Sequence, residues 1–182
     1  MAAEPDPLTP AYEALGVEGY YRLHGATYRN PHEDAVDAIL RLAVRSWQLD
    51  LAHVLDLACG SGEATLALRV LGAARIDGLD PFTGDAYLAR TGAVAEAVRF
   101  EEIALGALAG RQWSTIVCSF ALHLVEPSWL PGVCRALAEA SDTLVVVTPH
   151  KRPDIRSGWG WGPAVEIKHD RTRVRLYRRA TT

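Results

Sequence analysis

The residues best suited to chemistry stand in one run, VLDLACGSGEAT, from Val54 to Thr65. It opens apolar, places an acid at Asp56, and breaks through Ala58 and Cys59 into Gly60, Ser61 and Gly62 before helix-forming residues begin at Glu63. Two positions without a Cβ let another molecule approach bare backbone. About twenty residues downstream, the stretch RIDGLDPF ends in Asp80, an acid able to accept hydrogen bonds from ribose hydroxyls. A loop for close approach and a diol acceptor together describe a nucleoside site.

The spacing narrows the nucleoside. A phosphate-cradling GxxxxGK[ST] loop needs a lysine that is missing here, and the dinucleotide fingerprint G-x-G-x-x-G needs a glycine where Thr65 stands. An acid at Asp56, just ahead of the loop, is a poor neighbour for a pyrophosphate and a good one for a cation. S-adenosyl-L-methionine has a positive ammonium and sulfonium and no phosphate, so it suits these residues.

The elements that must hold these residues can be read from periodicity. Val36, Ile39, Leu40, Ala43, Val44 and Trp47 recur at helical spacing, and Asn30, Pro31 and Glu33 predict a cap, a first helical position and a capping box. Beyond them HVLDLA reads as a first strand, EATLALRVLG as a helix and RIDGLD as a second strand. AYLARTGAVAEAV reads as a helix broken at Gly92, and VRFEEIAL as a third strand. STIVCSF, PGVCRALAEA and TLVVVTP follow as strand, helix and central strand. Such alternation calls for crossover connections and a parallel sheet covered on both faces. AVEIKHD and RVRLYRR, joined near Asp170 to Thr172, predict a closing antiparallel hairpin. The expected fold class is α/β: a single Rossmann-like domain with a mostly parallel seven-stranded sheet, helices on both faces and a C-terminal antiparallel β-hairpin. Residues 1–10 read as a flexible leader, 11–50 as a lid segment with a helix, and 51–180 as the core.

VLDLACGSGEAT, GLDPF, IVCSFALHLVE and TLVVVTPH, in that order, resemble successive motifs of the class I S-adenosylmethionine-dependent methyltransferases. The resemblance runs from about Val54 to Tyr177. It implies that Asp56, Ala58, Cys59 and Gly60 surround the methionine end and that Gly62 allows close approach. It also implies that Asp80 holds the ribose hydroxyls and that Pro81 and Phe82 flank the adenine. Ser119 falls where the family lines its methyl-transfer channel. The acid that the family often carries near the adenine amine has Glu102, followed by Ile103, as its counterpart. A segment ahead of the first strand commonly folds over cofactor and acceptor in this family. Tyr20, Tyr21 and Tyr28 could therefore meet the cofactor, or simply pack on the sheet.

Methyl transfer draws much of its rate from alignment and needs a base only when the acceptor must lose a proton. His123 and His150, past the fourth and fifth strands, are the candidate catalytic bases, with a loop-ordering or surface role as the plainer alternative. No cysteine or histidine pattern suggests a metal site. CSFALH lacks the N/D-P-P-[YFW] pattern of enzymes that methylate exocyclic amines, which favours a small-molecule methyl acceptor.

RNA or protein is the alternative acceptor, with the period-two arginines Arg171, Arg173 and Arg175 as its docking stripe. A non-catalytic cofactor-binding subunit is a further alternative. With few residues to build a substrate domain, either the acceptor is small or a second copy or partner chain completes the site. Trp159 and Trp161 could serve there or fill the core.

The chain has 182 residues, a net charge of −3 and 49% hydrophobic residues, which fits one globular domain and no general nucleic-acid or membrane field. Three scattered cysteines, no signal peptide and no run of about 20 apolar residues predict a cytoplasmic protein with no membrane partner.

Overall fold

The computed structural model describes Gly16 and residues 19–181. The expected leader, residues 1–10, and part of the expected lid segment lie outside the described residues. Seven strands form one sheet: β1 (Val54–Leu57), β2 (Ile76–Leu79), β3 (Ala95–Glu96), β4 (Thr115–Ser119), β5 (Thr143–Thr148), β6 (Val165–His169) and β7 (Thr172–Arg178). Their order is β3-β2-β1-β4-β5-β7-β6. The first five run parallel, and β7 enters antiparallel between β5 and β6, closing the sheet with the expected hairpin.

Alternation along the strands explains the two-sided core. Ile116 and Cys118 of β4 and Leu144 and Val146 of β5 face one apolar cluster, while Val117, Val145 and Val147 face the other. Both sides of a strand are apolar only when helices cover both faces. Helices α1 (Glu33–Trp47) and α2 (Glu63–Val70) bury Val36, Ile39, Leu40, Ala64 and Leu68 on the second face. Helices α4 (Phe100–Ala104) and α5 (Leu130–Ala140) bury Ile103, Val133, Cys134 and Leu137 on the first. Helix α3 (Gly84–Thr91) lies beside α2, its Tyr87 hydroxyl 3.0 Å from the Thr65 hydroxyl. Trp161 is fully buried and donates its Nε1–H to the Cys134 carbonyl at 2.8 Å, so it is core rather than interface.

Three local expectations are corrected. The stretch read as a third strand, Val98 to Leu105, holds α4 instead, and the strand β3 lies just before it. Phe100, Ile103 and Ala104 have helical spacing, and the Glu102 carboxylate accepts the Arg99 backbone N–H at 2.7 Å, which starts the helix. The broken helix expected over Ala86 to Val98 does not resume past Gly92: it stops at Thr91, because Gly92 turns left-handed at φ +70°, and the next residues form β3 instead.

Helix α1 begins at Glu33 rather than after Asn30. Asn30 Oδ1 accepts the His32 N–H at 2.9 Å in a turn of its own, while Glu33 pairs with Arg29 and Arg90 instead of its own backbone.

Candidate functional site

In an open parallel sheet, a cleft forms where connections leave in opposite directions from neighbouring strands. Here that point lies between β1 and β4, and a cavity opens above the carboxyl ends of β1, β2 and β4. Leu57, Ala58, Cys59 and Gly60 form its floor after β1. Asp80, Pro81 and Phe82 enter after β2, and Ser119, Phe120 and Ala121 after β4. Val98, Arg99, Phe100 and Glu101 close the β3 side, and Tyr21, Tyr28 and Asn30 close it from above.

The glycine loop is held in place by Asp80. Its Oδ2 accepts the Gly60 N–H at 3.1 Å, and its Oδ1 accepts the Phe82 and Thr83 N–H groups at 2.9 and 3.0 Å. A carboxylate has about four acceptor positions. Three are taken by backbone, so Oδ2 keeps one for a ligand hydroxyl rather than the pair expected from sequence. Burial holds this carboxyl above the usual carboxylate range even against those donors. The Thr83 hydroxyl donates to the Gly60 carbonyl at 2.7 Å, tying loop to helix a second time.

Other sequence-derived site residues take different places. Asp56 is fully buried beneath the loop and does not line the cavity. The Thr65 hydroxyl donates to its Oδ2 at 2.6 Å, Oδ1 is sealed with no hydrogen-bond partner, and burial pushes its carboxyl up to about 7. Gly62 also lies off the cavity; at φ +91°, a Cβ on it would stand 2.4 Å from the Thr91 side chain. Its missing side chain thus serves helix packing rather than ligand approach.

Glu102 is spent on the start of α4 and Ile103 is in the core, so neither reaches the cavity; their neighbours Glu101 and Arg99 do. His123 and His150 do not line the cavity either. They meet each other, ring centroids 4.5 Å apart, beyond the carboxyl ends of β4 and β5. The arginine stripe is largely engaged within the fold. Arg173 and Arg175 each reach Glu166 at 2.8 Å, and buried Arg175 also donates to the Pro153 and Lys151 carbonyls.

Sequence reasoning passed over a cluster at the near end of the cavity. Glu63 lines it, and its Oε1 accepts from the Asn30 N–H at 3.2 Å, from Arg90 at 2.7 Å and from the Ser61 hydroxyl. Arg90 also reaches Glu33 on α1. The signal was present in Glu63 opening a helix directly after the loop, but its partners stand 27 and 33 residues away, beyond any local spacing rule.

The aromatic N-terminal segment sits over the site. Tyr21 stacks on Phe82 at 6.1 Å and meets Tyr28 edge-on at 5.1 Å, and the Arg99 guanidinium lies 5.0 Å from the centroid of the same Phe82 ring. Among the described residues, no group of three or more His, Cys, Asp or Glu is arranged for a metal ion, and no helix is long and apolar enough to cross a membrane.

No protein-family model matches the chain. A relative from Schizosaccharomyces pombe, the uncharacterized protein C17A5.05c, is 33% identical over a 190-residue alignment covering 81% of this chain and 77% of that protein. Among solved structures, magnesium protoporphyrin IX methyltransferase from Synechocystis, crystallised with bound S-adenosylmethionine, superposes with a TM-score of 0.58 at 17% identity, covering 99% of this chain and all of that one (100%). An O-methyltransferase family protein from Burkholderia thailandensis superposes with a TM-score of 0.63 at 15% identity, covering 96% of this chain and 68% of that one. The sheet order, the cleft at its switch point and these likenesses give the chain the fold of the class I S-adenosylmethionine-dependent methyltransferases, and it belongs to the same protein family as C17A5.05c of Schizosaccharomyces pombe.

Proposed function

We propose that this protein binds S-adenosylmethionine in the cavity above β1, β2 and β4 and transfers its methyl group to a small-molecule acceptor. The observation that carries the reading is the charge of the cavity wall. Glu63, Asp80 and Glu101 line it together with one arginine, Arg99, and even with Arg90 paired to Glu63 from outside the lining the acids outnumber the bases. Such a lining favours a cationic nucleoside and disfavours a dinucleotide pyrophosphate. The comparison proteins add support from the fold, since one of them was crystallised with this ligand.

The residues divide the ligand among them. Phe82, Val98 and Phe100 offer an apolar wall for a base on the β3 side. Asp80 offers its open acceptor position to a ribose hydroxyl. Ala58, Gly60 and Ser119 flank the end next to β4, where the acceptor would meet the donor. When bound, the donor supplies an electrophilic methyl carbon on sulfonium. The protein's part is to align the two partners and exclude water, which Tyr21 and Tyr28 do from above. For an acceptor that must shed a proton and reaches beyond the cavity lining toward β4 and β5, the paired rings of His123 and His150 are the nearest candidate bases named from the sequence.

The engagement of Arg173 and Arg175 within the fold leaves less of the stripe for RNA and so favours a small acceptor. Incubating purified protein with methyl-labelled S-adenosylmethionine and size-fractionated cell extract tests the reading. Label should enter small molecules; if the labelled acceptor loses a proton on methylation, His123→Asn with His150→Asn should slow transfer about 100-fold while S-adenosylhomocysteine affinity stays unchanged. Label in RNA or protein, or no transfer to any fraction, would contradict it.

A further inference from the structure

The sheet has two edges, and they differ. At one, β3 has only two residues, too short to template another strand. At the other, β6 runs for five residues, Val165–His169, in unbroken register with β7 on one side and with no strand on its other side. Asp170 and Arg171 close the hairpin between His169 and Thr172. The pair flanking a two-residue turn exchanges both hydrogen bonds, so His169, Ile167 and Val165 bond to β7. The N–H and C=O groups of Glu166 and Lys168 then point to the open edge. Sheet edges are guarded by bulges, proline or charge, and of these β6 has only charge.

That charge is unevenly arranged. Ile167 packs on the α1 side of the sheet, while Glu166 and Lys168 face the other side. There Glu166 stands across from Arg175 and Lys168 across from Arg173. Glu166 bonds both arginines at 2.8 Å. Exposed Lys168 has no ion pair among the described residues, and its cross-strand neighbour carries the same charge, an unfavourable pairing. An acid on the open side of Lys168 would relieve it. The strand itself can supply one, because Glu166 and Lys168 lie symmetrically about Ile167.

We propose that β6 is a self-association edge: two copies of this chain pair antiparallel about a twofold axis at Ile167, and the sheet continues from one protomer into its partner. In this register Ile167 meets its own counterpart, Glu166 of each protomer lies across from Lys168 of the other, and Val165 from His169. The outward backbone groups of Glu166 and Lys168 then bond to one another across the axis. Moving the axis to Glu166 or to Lys168 sets like charges face to face, so the sequence selects one register. The charge that guards this edge against other strands thereby accepts a second copy of the same strand.

Sedimentation velocity from about 1 µM to about 1 mM, the range of weak contacts, should show the 19.8 kDa chain shifting to twice that mass. Lys168→Glu places an acid opposite Arg173 within the chain and opposite Glu166 across the axis. It should leave the thermal midpoint of the dilute protein unchanged or raised, and weaken the dimer at least about tenfold. Lys168→Pro removes an outward N–H and no bond to β7, and should weaken the dimer likewise.

The register has its own readout. Directly opposed residues outside the hydrogen-bonded pairs have Cα atoms about 4.5 Å apart, within disulfide reach. Ile167→Cys should therefore cross-link two chains under mild oxidant and Val165→Cys should not, the native Cys59, Cys118 and Cys134 being buried. A chain that stays monomeric throughout the range overturns the proposal. So does a dimer that survives Lys168→Glu, or one that cross-links through Val165→Cys and not through Ile167→Cys. Protection of the Lys168 N–H from hydrogen exchange in a monomer would give the edge to another segment of the same chain, and overturns it too.

Discussion

Asp56 and Glu63 show how one residue's role depends on depth rather than on type. Both are acids beside the same loop, yet one is sealed beneath it and the other faces the cavity. The loop sequence pointed to an acid beside the cavity. Which acid could not be read, because burial is decided by Thr65 and Tyr87 packing from other turns.

The depth of Asp56 has a measurable consequence. Its carboxyl is pushed up to about 7 by burial, whereas in the unfolded chain it ionises near the ordinary value of about 4. Between those values the folded chain holds a proton that the unfolded chain has lost, so stability falls as pH rises from about 4 to about 7 and levels off above. Asp56→Asn cannot ionise and keeps an oxygen for Thr65. Urea unfolding at pH 4.5 and 7.5 should show the variant gaining on the wild type at the higher pH, by about 1 kcal/mol or more. An identical difference at both values would show that the buried carboxyl does not titrate this way.

At the scale of elements, apolar periodicity located the buried strands and α1 because their alternation is long and regular. The region from Gly92 to Leu105 was misread because β3 has only two residues and α4 only five, too short for either period to be distinct. The cover over the cavity was legible as a crowd of tyrosines, but its attachment was not. That attachment uses Gly25, whose missing side chain lets the short turn Gly25–Thr27 lie against the strand-to-helix loop after β2; a Cβ there would stand 2.2 Å from the Phe82 carbonyl oxygen. Gly25→Ala should therefore lift the turn and separate Tyr21 from Phe82. Adenosyl-ligand affinity should fall about tenfold while the midpoint of thermal unfolding changes by only a few degrees, since the two apolar clusters are untouched. Wild-type affinity in this variant would mean that the tyrosines do not cover the ligand.

For the whole molecule, the sheet order places the ends of β1, β2 and β4 around one cleft, and this was readable because parallel strands with helical crossovers leave few topologies open. The acceptor was not readable, since it depends on side chains gathered from separate loops rather than on any contiguous run. The position of the bound ligand is the central claim, and a crystal structure of the protein with S-adenosylhomocysteine measures it most directly. It should show the adenine beside Phe82, a ribose hydroxyl on Asp80 Oδ2 and the amino-acid end over Gly60. A ligand bound elsewhere on the molecule, or one in this cleft with its ribose turned away from Asp80, would contradict the account.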